Sequence, residues 1–153
     1  MNEIENRLDA LGVSLPEPAA PVANYAPYMR TGDQVHVSGQ VSFTPDGLIT
    51  GRLGADMDLE AGQHAARACA VNLIAQFKAA CGGDLTRVKK VVKLGGFVNA
   101  DPAFVDVPKV INGASDLMGE VFGESGRHAR SAVGVAVLPL GAAVEIDAII
   151  QIG

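Results

Sequence analysis

The sequence predicts an α+β fold in which two amphipathic helices cover one face of a mixed β-sheet, with elements in the order ββαβαββ. Three observations predict it. A hairpin pattern precedes the first long helical pattern, a lone apolar strand separates that helix from a second, and the final strand has one wholly apolar face. A chain of 153 residues with 48% hydrophobic and 19% charged side chains has the length for one such domain and its core. Residues 1–153 are therefore read as a single domain, with 1–24 as an N-terminal extension.

Ile4, Leu8 and Leu11 recur at helical spacing and Gly12 offers a left-handed stop, so the extension opens with a short helix. Leu15 to Ala23, rich in Pro and Ala, is expected to lie extended along the surface of the fold. Tyr25 to Met29 and Gln34 to Ser42, joined through Thr31-Gly32-Asp33, read as a β-hairpin. Pro45-Asp46-Gly47 is a second turn, with Leu48 to Gly51 extended after it.

Asp58 is placed to cap a long helix whose buried stripe is Ala66, Cys69, Ala70, Leu73, Ile74, Phe77 and Ala80, and Gly82-Gly83 ends it. Arg87 to Asn99 reads as an apolar strand interrupted by Gly95-Gly96, a pair that signals a bulge or a close backbone approach. Pro108 falls inside the next helical pattern, so the second helix is expected to begin near Val107, with Ile111, Ala114, Met118, Val121 and Phe122 buried. Ser131 to Leu138 and Ala143 to Ile152 read as two strands joined tightly through Pro139-Leu140-Gly141. In the last, Val144, Ile146, Ala148, Ile150 and Ile152 share an apolar face, while Glu145, Asp147, Ile149 and Gln151 share a mixed one. No helix remains to cover that half-apolar face, which predicts an oligomer.

Composition narrows the function. Cys69 and Cys81 lie on one predicted helix, roughly 18 Å apart along its axis, and read as free thiols. Free thiols, together with a polar start from Met1 to Asn6, predict a cytoplasmic protein without signal peptide or membrane span. A net charge of −5 with no Trp, two Tyr and five Phe offers neither a basic surface nor stacking aromatics, so no nucleic-acid partner is expected. His36, His64 and His128 are isolated and no Cys or His pair has ligand spacing, so no metal site is expected. There is no phosphate loop and no nucleophile elbow, and Cys69 falls on a core stripe.

Two charged side chains embedded in apolar strand sequence remain, Arg130 and Glu145. Each is either a rim or ion-pair residue or a functional group facing a cleft.

Val37-Ser38-Gly39-Gln40, Ala129-Arg130-Ser131-Ala132-Val133, Leu138-Pro139 and Val144-Glu145-Ile146-Asp147-Ala148 resemble the YjgF/RidA family, from about Tyr25 to Gly153. The resemblance implies a chorismate-mutase-like fold and a homotrimer whose sheets pack into a central barrel, with clefts between subunits. It implies that Arg130 binds a substrate carboxylate, that Glu145 serves a bound water, and that Tyr25, Ser38, Gly39, Ser131 and Asn112 line the same cleft. The implied reaction is hydrolysis of reactive 2-imino acids to 2-oxo acids and ammonia, with no metal or organic cofactor. Ala132 stands where many members carry cysteine, Gly95-Gly96 interrupts a strand, and the N-terminal helix is an addition.

If the last two strands close as a hairpin, Arg130 comes opposite Ile150 and Glu145 opposite Val135, several residues apart. A shared cleft then draws the two from neighbouring subunits. The alternative to an enzyme is a non-catalytic trimer that captures a small carboxylate as ligand or sensor. A ribonuclease is disfavoured by the acidic charge and the lack of a histidine-based catalytic set.

Overall fold

The computed structural model describes residues 1–21 and 23–153. The extension begins with α1 (Glu3–Ala10), capped reciprocally: Asn2 Oδ1 accepts from the Glu5 N–H at 2.9 Å, and Glu5 reaches back to the Asn2 N–H. Leu8 is its buried anchor, and Arg7 donates to the Val121 carbonyl at 3.1 Å, tying the extension to the body of the fold. Residues 13–21 then run without regular structure, held in part by Gln76 Nε2, which donates to the Ala19 carbonyl. Val22, in the segment expected to lie extended, falls outside the described residues.

The body runs β1 (Tyr28–Thr31), β2 (Gln34–Val41), a small hairpin of β3 (Phe43–Thr44) and β4 (Gly47–Leu48), α2 (Leu59–Ala80), β5 (Val88–Asn99), α3 (Val107–Phe122), β6 (Ala129–Val135) and β7 (Val144–Ile152). The main sheet has the order β1-β2-β7-β5-β6. Among the strands of this sheet only β5 and β6 pair in parallel, with α3 as their crossover. This is the expected α+β order with a mixed sheet.

Both helices start where the sequence places them. Asp58 accepts from the Ala61 N–H at 2.9 Å to cap α2, and Pro108 sits in the first turn of α3, where a missing N–H costs nothing. α2 lies over β2 and β7, and α3 over β5 and β6. Leu73, Ile74, Phe77, Leu94, Ile111, Leu117, Met118, Ile146 and Ile150 are fully buried between them. Gly113 makes the close helix crossing possible, because a side chain there would run into the Gln63 carbonyl. No helix among the described residues is long and apolar enough to cross a membrane.

One open alternative is decided, one bulge is new, and one expectation is corrected. Gly95-Gly96 is a place of close approach rather than a bulge: a Cβ on Gly96 would lie 2.6 Å from the Ile111 side chain, while the register shifts of β5 fall earlier, at Val88/Lys90 and Val91/Lys93. A bulge lies instead in β2, between Val37 and Gln40, so Ser38 and Gly39 leave the regular ladder. The final strands also do not form a hairpin. β6 ends at Val135, and residues 136–143 carry the chain through a 3₁₀ turn, Pro139–Gly141, so that β7 enters between β2 and β5. Ala143 is fixed before that entry: its N–H donates to Ile49 and its carbonyl accepts from the Asn99 N–H. A central position for β7 follows from its burial, since its five apolar residues need helix cover and two hydrogen-bonding neighbours, which an edge strand lacks.

Candidate functional site

Register fixes where the two charged residues stand. Arg130 pairs with Leu94, which pairs with Ala148; Glu145 pairs with Phe97 and Val41. They are therefore two strands and three residues apart, roughly 14 Å at ordinary sheet spacings. Neither is opposite Ile150 or Val135 as a hairpin would require. They also face opposite sides. Arg130 shares the helix-facing row of buried Leu94, whereas Glu145 alternates with buried Val144 and Ile146 and points to the uncovered face.

On the uncovered face, Glu145 shares a cleft of about 70 Å³ with Tyr25, Ser38 and Gly39. The β2 bulge builds it. Gly39 lies directly beneath the carboxylate, and a Cβ there would be 2.5 Å from Glu145 Oε1, so only glycine leaves that space. Ser38 donates its hydroxyl to the Ala26 carbonyl at 2.7 Å, fixing the segment that carries Tyr25. The walls are mostly apolar: Pro27, Val41, Phe43, Pro139 and Leu140, closed on one side by Ala19, Ala20 and Pro21 of the extension. Asn72 of α2 also lines the cleft and donates to the Val41 and Phe43 carbonyls. Burial pushes the Glu145 carboxyl above its ordinary range, and the nearby charge of Asp147 adds to this. Cys69 has no such role: burial pushes its thiol well up, and its S–H points to the Val144 carbonyl.

At the β6 edge, Arg130 meets α3. Its Nη1 donates to Asn112 Oδ1 at 2.8 Å and to Ser115 Oγ at 3.2 Å, and its Nη2 donates to the Pro108 carbonyl at 3.2 Å. All three acceptors are neutral. Among the described residues Arg130 enters no ion pair and neither does Glu145. Of the five guanidinium donors, Nε–H and one Nη2–H are left without a partner among the described residues. An arginine oriented by neutral oxygens, with charge uncompensated and donors free, is suited to receive a carboxylate.

The predicted residues thus fall into two groups. Tyr25, Ser38, Gly39 and Glu145 come together, and Arg130 and Asn112 come together. Ser131 joins neither fully: one residue on from Arg130, it turns to the uncovered face and lines an open groove with Ser38, Lys93, Gly95 and Asp147. Sequence reading missed Ser115 and His128. Asn112 and Ser115 are three apart on α3, a spacing that puts both on one helix face and could have signalled the pair. Among the described residues no three His, Cys, Asp or Glu side chains converge as a metal site would require.

The sequence profile of the family described as "YjgF/chorismate mutase-like, putative endoribonuclease" matches residues 5–150, and the chain belongs to this family. Protein TCP17 of Trypanosoma cruzi is 54% identical over 147 residues, 95% of this chain and 91% of its own. The 2-iminobutanoate/2-iminopropanoate deaminase of Dermatophagoides farinae is 30% identical over 142 residues, 92% of this chain and 94% of its own. Among solved structures, the protein Atu1372 of Agrobacterium tumefaciens superposes with a TM-score of 0.93 at 49% identity, covering 99% of this chain and 93% of that one.

Proposed function

We propose that the chain is the subunit of a homotrimer that hydrolyses small 2-imino acids to 2-oxo acids and ammonia, at clefts completed between neighbouring subunits. The observation that carries this reading is the state of Arg130: positioned by three neutral oxygens, uncompensated in charge, and open at two donors. The relationship to a named iminobutanoate/iminopropanoate deaminase supports the substrate class.

The chemistry asks little of the protein. Arg130 holds the carboxylate of the imino acid and so aims its C=N carbon at the Glu145 cleft of the adjoining subunit. Glu145 takes a proton from water as the water oxygen adds to that carbon, forming a carbinolamine. The same carboxyl delivers that proton to the imine nitrogen to complete the carbinolamine. It then takes the hydroxyl proton and passes it to the nitrogen as the C–N bond breaks, so that the carbonyl forms, ammonia leaves and the carboxylate is restored. A carboxyl raised by burial is the better base for this exchange near neutral pH. An imine is electrophilic enough that no metal or organic cofactor is needed. The small apolar-walled cleft suits a substrate with a short hydrocarbon side chain.

Homotrimer assembly is supported by the sheet. Its uncovered face carries Phe97, Val133 and Ile149, and its edge strand β6 has a free side.

The direct test is release of 2-oxo acid from freshly generated 2-iminopropanoate by wild type and by Arg130→Ala at equal concentration. The expected result is acceleration by wild type that disappears in the variant. No acceleration by wild type would contradict the enzyme reading and favour a carboxylate-binding trimer. That second reading has one observation of its own, since a single chain separates Arg130 from Glu145 and a binder needs only the former.

A further inference from the structure

We infer that Ser115 and His128 are positioning residues for Arg130, a relay that fixes which guanidinium donors face the ligand; this rests on Arg130 being the carboxylate anchor. The geometry assigns every proton in the relay. His128 Nδ1 lies 2.7 Å from the Gly126 carbonyl, which can only accept, so Nδ1 carries the hydrogen. In the neutral ring Nε2 is then an acceptor, and at 2.8 Å it takes the hydroxyl hydrogen of Ser115. With its hydrogen directed at His128, the Ser115 oxygen presents lone pairs to Arg130 Nη1 at 3.2 Å. The run is Gly126 carbonyl, His128, Ser115, Arg130, with each donor aimed at one acceptor.

The fold holds both ends of this run still. Gly126 is buried against α3, and a side chain there would collide with the Met118 carbonyl, so the 3₁₀ turn Gly123–Gly126 can press on the helix only as glycine. His128 follows two residues later, immediately before β6, and Ser115 is one turn along α3 from Asn112. Ser115 and Asn112 together occupy Nη1, and the Pro108 carbonyl takes one hydrogen of Nη2, which leaves Nε–H and the other Nη2 hydrogen for the carboxylate. Without the relay, the Ser115 hydroxyl rotates freely and Nη1 loses one of its two fixed acceptors.

Two measurements test the inference. Long-range ¹H–¹⁵N correlation of His128 at pH 8 is expected to show the Nδ1–H tautomer, and the Nε2–H tautomer would overturn the relay. Pyruvate, a small 2-oxo carboxylate, is then titrated into wild type, His128→Ala, His128→Gln and Ser115→Ala, with 2-iminopropanoate hydrolysis followed in parallel. His128→Ala and Ser115→Ala are expected to raise the pyruvate Kd and the KM about fivefold, the order of one lost hydrogen bond, with kcat within about twofold. His128→Gln, which can still accept from Ser115, is expected to recover most of the affinity, a rescue that a general loss of packing would not show. Unchanged Kd and KM in His128→Ala, or equal losses in His128→Ala and His128→Gln, would overturn the inference. Failure of wild type to bind pyruvate would instead count against Arg130 as the anchor, and the tautomer would still decide the relay.

Discussion

Arg130 and Glu145 make opposite demands on their surroundings. Arg130 is useful for its planar fork, so Arg130→Lys keeps the charge but loses paired contact with a carboxylate; kcat/KM for 2-iminopropanoate is expected to fall roughly 10- to 100-fold. A drop of less than about twofold would show that charge alone suffices. Glu145 is useful for its raised carboxyl. Because burial lifts that group above its ordinary range, folding favours the protonated acid. Its contribution is favourable at low pH and is lost as pH rises through the raised value. Glu145→Gln, uncharged at every pH, is expected to melt above wild type at pH 7, with the two melting temperatures converging toward about pH 4. The same substitution is expected to lower kcat about 10²- to 10⁴-fold while pyruvate binding persists. Both charges were legible in the sequence because a charge stands out in an apolar strand. Ser115 and His128 were not, since their bonds to one another and to Arg130 span 13 and 15 residues and exist only once α3 has packed beside β6.

At the level of elements, periodicity and capping located both long helices to within a residue or two: Asp58 caps α2, and Pro108 sets the start of α3. Turn signals were weaker guides to pairing. Pro139-Leu140-Gly141 does mark a turn, with Leu140 in the left-handed region at φ 62°, but a turn signal does not say which strand the next one joins. Burial decided that, by placing the wholly apolar face of β7 at the sheet centre. The β2 bulge was equally silent in the sequence, although it shapes the cleft through Gly39. Gly39→Ala is expected to displace the Glu145 side chain and lower kcat toward that of Glu145→Gln, with the fold intact by circular dichroism. An unchanged kcat would detach Gly39 from the site. Gly113→Ala tests the helix crossing instead. Overpacking against the Gln63 carbonyl is expected to cost about 1–3 kcal/mol in urea unfolding, and no change in midpoint would show that the helices can part without penalty.

Across the whole molecule, the two residue groups lie on opposite faces of one sheet. Cleft residues gather beside the β2 bulge and the N-terminal extension, while Arg130 stands at the far edge, bonded to α3. A single subunit presents each half of the proposed site and completes neither. In a closed ring of identical subunits, the Arg130 edge of one copy can adjoin the Glu145 cleft of the next. The most direct test is complementation: Arg130→Ala and Glu145→Gln, each expected to be inactive alone, are mixed 1:1, dissociated, reassembled and assayed on 2-iminopropanoate. The proposal predicts recovery of about one quarter of wild-type activity, since one interface combination in four then pairs an intact Arg130 with an intact Glu145. No recovery from a mixture shown to have exchanged subunits would contradict it.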